Sequence, residues 1–326
     1  MKILLTGGAG YIGSTTLRWL LKNGHDPIAY DNLSAGNRKA IPADRLVVGD
    51  LSDIPAMVKA MREHRIEAVM HFAALASVPE SVSDPDAYYR VNVIGTKNLL
   101  DAMLEAGVKK IVFSSTAATY GNREQMPIRE DDPQNPEHAY GRSKLAAEWM
   151  IRDYSRAYGL GYASLRYFNA SGADSDGEFG EHRKSESHLI PLALYVAIGK
   201  RPQLQVCGAD WDTRDGTCIR DYVHVEDLAQ AHQLAIEAIQ PGRGTEYNLG
   251  TGTGVSVLEV VKACGEVVGN SIKYEVVGRR PGDPAVLVTT PEKIVRELGW
   301  KPKYTDIKSI IETAWRWHQK HPNGYE

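Results

Sequence analysis

The first half of the chain alternates short apolar runs with stretches in which apolar residues recur every three or four positions. The apolar runs predict strands at residues 2–6, 27–31, 45–50, 68–74, 110–115 and 162–167. The amphipathic stretches predict helices at residues 15–24, 54–64, 86–107 and 140–158. Such alternation is typical of a parallel sheet with helices on both faces. The predicted fold class is therefore α/β, a Rossmann-type, doubly wound parallel sheet.

The pattern becomes less regular after residue 169. A polar, glycine-rich stretch at 172–188 predicts a loop, an apolar helix follows it, and short elements continue towards the end of the sequence. We therefore predict a first domain at residues 1–169 and a smaller lobe at 170–326. Residues 222–239 and 246–250 predict a helix and a strand, and we expect the region near 222–250 to return to the first domain.

Composition excludes several classes of protein. Of the 326 residues, 43% are hydrophobic and 24% charged, and the net charge is −3, which indicates an ordinary globular protein without a nucleic-acid or membrane surface. Cys207, Cys218 and Cys264 form no paired spacing, so neither a disulfide framework nor a metal site is expected. No apolar segment approaches the ~20 residues of a membrane span. We expect a cytoplasmic protein.

A glycine-rich loop follows the first predicted strand. Gly7, Gly10 and Gly13 give the spacing GxxGxxG in GGAGYIG, residues 7–13. Such a turn brings backbone close to a pyrophosphate and directs a helix N-terminus at it. Asp31 closes the second predicted strand, where a carboxylate accepts hydrogen bonds from ribose hydroxyls and repels a 2′-phosphate. The sequence therefore predicts NAD rather than NADP, with residues 1–169 as the NAD-binding domain and residues 170–326 mainly as the substrate lobe.

Candidate acid–base chemistry lies at the end of the fifth predicted strand. Thr116 belongs to the hydroxyl-rich stretch SSTAATYG, residues 114–121, and Tyr140 and Lys144 follow one turn apart on the next predicted helix. A Tyr-x-x-x-Lys spacing alone is an ordinary helical turn. Beside a cation, however, a tyrosine has a lower pKa and becomes effective in general acid–base catalysis. We expect Lys144 to supply that charge and Thr116 to hydrogen-bond the same substrate hydroxyl.

In this order, these features resemble the extended short-chain dehydrogenase/reductase family. The stretches GGAGYIGS, YDNLS, HFAA, SVSDPDAYYRVNVIGT, YGRSK, LRYFN, RDYVHV, YNLGTG and RRPGD narrow the resemblance to its UDP-glucose 4-epimerase branch, over residues 6 to about 300. The resemblance implies tightly bound NAD, a UDP-sugar substrate and a homodimer formed through helices near residues 84–106 and 140–158.

The resemblance also implies roles for individual residues. The catalytic set is Thr116, Tyr140 and Lys144. The cofactor would be bound by Gly7, Gly10, Tyr11, Ile12, Gly13, Asp31, Asn32, Asp50, Leu51, Phe72, Ala73, Ala74, Asn92, Tyr140, Lys144 and Phe168. The substrate would be bound by Thr116, Tyr140, Asn169, His188, Leu189, Arg220, Arg280, Asp283 and Leu287.

The chain departs from the family pattern at several of these places. Thr116 stands where many members have serine, and Ala76 where some have a lysine against the cofactor phosphates. His188 stands where some members have asparagine and is assigned to the substrate phosphate, with a helix-start histidine bonded to its own backbone as the alternative. Leu287 matches the position that selects sugar size and is intermediate between a large aromatic and a small residue.

The expected reaction is inversion at C4 of a UDP-hexose through a transient 4-keto sugar. Another UDP-sugar (an N-acetylhexosamine, a pentose or a uronate) remains an alternative substrate, and a non-catalytic NAD sensor is the alternative from another class of protein. A dehydratase or decarboxylase of the same family would need an acid beside Thr116, where the sequence has only Ser115, Ala117 and Ala118.

Overall fold

The computed structural model describes residues 1–280 and 282–326. Pro281, inside the RRPGD stretch, lies outside the described residues. Among the helices described, none is both long and apolar enough to cross a membrane.

Seven strands form one parallel sheet, in the order β11-β6-β5-β4-β1-β2-β3. The predicted parallel α/β sheet is thereby confirmed. Because β11 pairs with β6, the chain returns to this sheet after the excursion that follows residue 169. The sheet consists of β1 (Lys2–Thr6), β2 (Asp26–Asp31), β3 (Leu46–Val48), β4 (Ala68–His71), β5 (Lys110–Thr116), β6 (Gly161–Tyr167) and β11 (Gly244–Leu249).

Shorter strands form three small sheets, with the orders β10-β7, β12-β9-β14 and β13-β8. These strands are β7 (Asn169–Ser171), β8 (Leu204–Cys207), β9 (Ile219–Arg220), β10 (Tyr222–His224), β12 (Val255–Ser256), β13 (Tyr274–Val277) and β14 (Val286–Leu287). The helices are α1 (Tyr11–Lys22), α2 (Ile54–Glu63), α3 (Val78–Ser83), α4 (Pro85–Tyr88), α5 (Gly95–Ala106), α6 (Ala139–Tyr158), α7 (Leu189–Ala197), α8 (Val225–Ala238), α9 (Val257–Val268), α10 (Glu292–Leu298) and α11 (Ile307–Lys320).

The two faces of the large sheet bury separate apolar clusters. In β1, Ile3 and Leu5 face the cluster that includes α1 and α8, whereas Leu4 faces the cluster built from α2, α5 and α6. This division follows from the alternation of side chains along a strand. A third cluster lies between α7, α9 and α11. Strand β5 and helix α6 both contribute to the second of these clusters, and this shared packing fixes them relative to each other.

Two predicted helices differ from those observed. The helix predicted at 86–107 is interrupted by a π-helical turn at Tyr89–Ile94, between α4 and α5. The helix predicted at 222–239 begins instead with the strand β10, because Tyr222–His224 pair with β7. Only after His224, whose side chain accepts a hydrogen bond from the Glu226 amide, does α8 begin.

Candidate active site

The glycine-rich loop between β1 and α1 leaves backbone donors free. No acceptor within residues 1–280 and 282–326 bonds the amides of Tyr11 and Ile12, in the first turn of α1. A Cβ on Gly7 would lie 2.5 Å from the Ala73 nitrogen, and one on Gly13 would lie 2.4 Å from the Gly7 oxygen. Only glycine permits this close approach, and the free amides suit a pyrophosphate.

Asp31 lies beside this loop, at the carboxyl end of β2. Its carboxylate accepts hydrogen bonds from the Ala9 amide (2.9 Å) and the Leu33 amide (2.8 Å) and is buried. Asn32 donates to Asp50 at 2.6 Å. The structure thus brings together the acids predicted for the ribose and adenine ends of the cofactor. Leu51 is buried directly after Asp50.

Three residues predicted to flank the cofactor follow directly after β4. Phe72 packs on the His232 ring at 4.7 Å between centroids, and Ala73 lies beside Gly7 with Ala74 next in the chain. Asn92 is buried in the π-helical turn, where its side chain bonds both backbone groups of Leu75 and the Ser143 hydroxyl. Its polar atoms are therefore engaged within the protein.

Tyr140 begins the first turn of α6 and faces the carboxyl end of β5. Burial raises its pKa above the usual 10, while hydrogen bonding to Thr116 and the charge of Arg183 lower it. The Thr116 hydroxyl also accepts from the Ala118 amide at 3.1 Å. The Tyr88 ring meets Tyr140 edge-on, with centroids 6.3 Å apart. The Tyr140 ring thus lies between Thr116 and Tyr88.

Lys144 lies one turn further along α6 and is only 3% exposed. Its ammonium lies over the Phe113 ring, 4.4 Å from the centroid. Burial lowers the pKa of Lys144 to about 7, against the charge of Glu148, which raises it. The positive charge that lowers the Tyr140 pKa belongs to Arg183, so the lysine's own effect on Tyr140 stays a prediction.

Arg183 belongs to a charged cluster on the loop before α7. Its Nε donates to the buried Glu181 carboxylate at 2.7 Å, and the same oxygen lies 2.8 Å from His188 Nδ1. The charge of Glu181 raises the pKa of His188. His188 caps α7 without a side-chain hydrogen bond to the helix, and Leu189 follows as its first residue. The predicted alternative of a helix-start histidine bonded to its own backbone does not match this geometry.

Predicted substrate residues converge on the small sheet of β9 and β14. Arg220 and Leu287 are paired neighbours there. Asp283 accepts from Arg280 at 2.9 Å and lies 3.7 Å from Arg220, so two guanidinium groups flank one carboxylate. Phe168 and Asn169 directly follow β6. The Asn169 side-chain amide donates to the Asp221 carbonyl at 2.8 Å, and the Phe168 backbone amide donates to the Leu249 carbonyl at 3.3 Å.

Two buried histidines outside the cleft have structural partners. His71 lies between Thr6 and Thr96, at 2.6 and 2.9 Å. His224 contacts Thr313 at 2.9 Å. Burial lowers the pKa of each to about 3, so both stay neutral.

Sequence reasoning missed Glu181, Arg183 and Glu148. The first two lie in a loop of mixed charges whose path no pattern reveals. Glu148, in contrast, follows Lys144 by four residues in a predicted helix, so helical spacing alone places it on the same face.

Comparison with known proteins gives relatives of the same family. The model of the family "NAD dependent epimerase/dehydratase family" matches residues 3–250. The UDP-glucose 4-epimerase of Halalkalibacterium halodurans is 50% identical over 326 residues, covering 100% of this chain and 98% of the relative.

Solved structures agree over the whole length. One crystal structure of a UDP-glucose 4-epimerase superposes with a TM-score of 0.96 at 46% identity, covering 100% of both chains. The Brucella ovis UDP-glucose 4-epimerase in complex with NAD gives a TM-score of 0.93 at 48% identity, covering 96% of this chain and 97% of the other. The chain therefore belongs to the NAD dependent epimerase/dehydratase family, and within it to the UDP-glucose 4-epimerase branch.

Proposed function

We propose that the protein inverts C4 of a UDP-hexose, interconverting UDP-glucose and UDP-galactose through a transient 4-keto sugar, with tightly bound NAD as cofactor. The observation that carries this proposal is the packing of the first turn of α6, which bears Tyr140, on the segment that follows Thr116 at the carboxyl end of β5: a Cβ on Gly141 would lie 2.5 Å from the Ala118 carbonyl oxygen. Ligands in open α/β sheets bind outside the carboxyl ends of the strands.

The residues present fit NAD. The free amides of Tyr11 and Ile12 suit its pyrophosphate, and Asp31 suits an unphosphorylated adenosine ribose. When bound, NAD accepts hydrogen with its electron pair from C4 of the sugar and returns it. Asn32, Asp50 and Leu51 are proposed for the adenosine end. Phe72, Ala73, Ala74, Asn92 and Phe168 are proposed to line the remainder of the cofactor site.

Tyr140 moves the proton in this proposal. As phenolate it takes the proton from the sugar 4-hydroxyl, and as phenol it gives the proton back once C4 has been inverted. Thr116 orients the hydroxyl by a hydrogen bond. The positive charge of Arg183 favours the phenolate against the burial that opposes it. We propose that the charge of Lys144, one turn away on α6, favours the phenolate as well.

Inversion requires the sugar to present both faces, so the nucleotide must be held and the sugar must turn. We propose that Arg220 and Arg280 hold the diphosphate, since a guanidinium fork matches phosphate oxygens. Asp283 would orient both arginines. We propose three further substrate contacts: Asn169, and His188 and Leu189 at the start of α7. All three follow Tyr140 in the sequence and lie outside α6. Binding energy from the nucleotide contacts can then offset the free-energy cost of orienting the sugar for the reaction at C4.

The position of Glu148 favours epimerisation over elimination. A carboxylate does lie close to the end of β5, because Ser115 donates to Glu148 at 2.5 Å. However, Glu148 is fully buried and paired with Arg166 at 2.7 Å, and its pKa, although burial raises it, is lowered overall by Arg166. It is therefore an ionised, enclosed group rather than an acid directed at the sugar, and the reaction stops at the ketone and reverses.

We further propose a division of labour between the lobes. Residues 1–169 with the region near 222–250 bind NAD, and most of 170–326 binds the UDP-sugar.

We also propose a homodimer through the helices near residues 84–106 and 140–158. Exposed apolar side chains near α5 and α6, such as Ile94 and Trp149 at 54% and 55% exposure, support such an interface.

A cytoplasmic location is proposed as well. It fits three cysteines that are all free thiols.

The purified chain tests the proposal directly. We expect about one NAD per chain in the acid-released supernatant and conversion of UDP-galactose to UDP-glucose without added cofactor. UDP-N-acetylgalactosamine and UDP-xylose, assayed side by side, report the selectivity set by Leu287. Absence of conversion of any UDP-sugar by a folded, NAD-loaded sample would refute the function and favour the NAD-sensor alternative.

A further inference from the structure

One face of α6 carries three polar residues in successive turns. Tyr140, Lys144 and Glu148 are spaced by four, which aligns their side chains along the helix. Lys144 is 3% exposed and Glu148 is fully buried. A buried carboxylate thus lies one helical turn along α6 from the buried lysine of the proposed acid–base site.

Glu148 is held by charge-assisted hydrogen bonds. Arg166 of β6 binds it bidentately, with Nε at 2.9 Å from Oε1 and Nη2 at 2.7 Å from Oε2. The Ser115 hydroxyl donates to Oε1 at 2.5 Å. Ser115 directly precedes Thr116 in β5, so this carboxylate ties the end of β5 to the helix that bears Tyr140.

We propose that Glu148 is a positioning residue for the reaction: it keeps the Lys144 ammonium charged inside the fold and holds Thr116 in place opposite Tyr140. This inference rests on the proposed function, which assigns Lys144 and Thr116 to the acid–base site. No contact between Glu148 and substrate or cofactor is required, because it acts through Lys144 and Ser115.

The charges around Lys144 support this assignment. Burial lowers the pKa of Lys144 to about 7, and the charge of Glu148 works against that effect. His71 faces the lysine from β4 but stays neutral, with a pKa of about 3. Tyr140 lies on the same helix, and Arg166 of β6 and Arg152 of α6 both pair with Glu148. Glu148 is the negative charge that raises the pKa of Lys144 against burial.

A purely structural role would give a different result. A buried ion pair that only joins β6 to α6 affects folding when it is broken, but it leaves kcat of the folded enzyme unchanged. A fall in kcat that accompanies a fall in the pKa of Lys144 therefore separates the two roles. The pKa of Lys144 can be measured by NMR from the pH dependence of its Cε resonance in ¹³C-lysine-labelled protein, assigned by its loss in Lys144→Arg.

We expect the Lys144 midpoint to fall in Glu148→Gln by about one pH unit or more, as for removal of an adjacent opposite charge. kcat should fall about tenfold, because one unit leaves about tenfold less charged lysine above the midpoint. Glu246→Gln is the matched control. Glu246 accepts from Arg152 of the same helix at 3.0 Å and is partly exposed, and its replacement should change neither value. An unchanged Lys144 midpoint in Glu148→Gln overturns the inference.

Two further variants keep the test decisive if Glu148→Gln does not fold. Glu148→Asp retains the charge and should keep a midpoint near that of the wild type. The pair Glu148→Gln with Arg166→Gln removes both buried charges and should still lower the midpoint; no change there also overturns the inference. Since the titration needs no turnover, a wild type without epimerase activity would refute the proposed function while the midpoints still decide the role of Glu148.

Discussion

The phenol of Tyr140 experiences opposing influences in the cleft. Burial disfavours the phenolate, and Thr116 and Arg183 favour it. The proposed mechanism needs both protonation states in one cycle, so the balance among these three influences sets the rate of the chemical step.

Removing the Tyr140 hydroxyl tests this balance. Tyr140→Phe should lower kcat by about 10²–10⁴-fold, the usual contribution of general acid–base catalysis. Affinity for UDP, measured by calorimetry, should stay the same because the proposed UDP contacts, Arg220 and Arg280, lie outside α6. Tyr158→Phe, at the other end of α6 and 54% exposed, is the control and should remain fully active. Near-wild-type activity of Tyr140→Phe would remove the phenol from the mechanism.

His188 should make substrate affinity depend on pH. Glu181 raises its pKa above the usual 6.5, so the imidazole is charged below that raised value and loses its charge as the pH rises through it. The dissociation constant for UDP should therefore increase over that range by up to about fivefold, since a half-exposed ionic contact contributes up to about 1 kcal/mol.

The His188→Gln variant isolates this contribution. Its UDP affinity, measured by calorimetry across the same pH range, should be weaker at low pH and nearly flat. His64→Gln, beyond the end of α2, should retain the wild-type dependence. A dependence that persists in His188→Gln would assign it to another group.

At the scale of elements, the glycine-rich loop leaves almost no space for a side chain at one of its glycines. Gly13 and Gly10 both lie in it, yet a Cβ on Gly13 would meet the Gly7 oxygen at 2.4 Å, while a Cβ on Gly10 would come no closer than 3.3 Å to it. Gly13→Ala should cost about 1–3 kcal/mol of unfolding free energy, as overpacking does, and should lose NAD on gel filtration. Gly10→Ala is the control for stability by urea unfolding. Equal stability of the two variants would show that the loop relaxes.

The sequence predicted most of the elements that form the site, for reasons visible in particular segments. α6 was predicted within one residue because its apolar spacing is continuous and Gly159 ends it. The helix predicted at 86–107 missed the π-helical turn, because that turn depends on Asn92 bonding Leu75 and Ser143, which are distant in sequence. Local spacing carries no information on such contacts.

At the scale of the whole molecule, Arg166 connects several distant segments. It binds Glu148 of α6, the Tyr120 hydroxyl at 2.8 Å and the Glu130 carbonyl at 3.1 Å. Tyr120 in turn donates to Asn248 of β11 at 2.8 Å. These pairings join residues that lie 18 to 128 positions apart in the sequence, which is why local sequence patterns did not reveal them.

Arg166→Met should therefore destabilise the fold by about 3–5 kcal/mol, since it leaves a buried carboxylate without its counter-charge. Arg152→Met removes a second, 29%-exposed partner of Glu148 and should cost under about 1 kcal/mol. Urea unfolding of both variants in the presence of NAD measures the difference. Similar small losses would mean that Glu148 finds another partner.

The central claim is that C4 is oxidised and reduced again within one closed site. UDP-galactose carrying deuterium at C4, incubated with the purified enzyme in ordinary water, tests it most directly when the product is analysed by mass spectrometry. The account predicts UDP-glucose that retains the deuterium at C4, because the hydrogen leaves and returns without meeting solvent. Replacement of the deuterium by solvent hydrogen would contradict it.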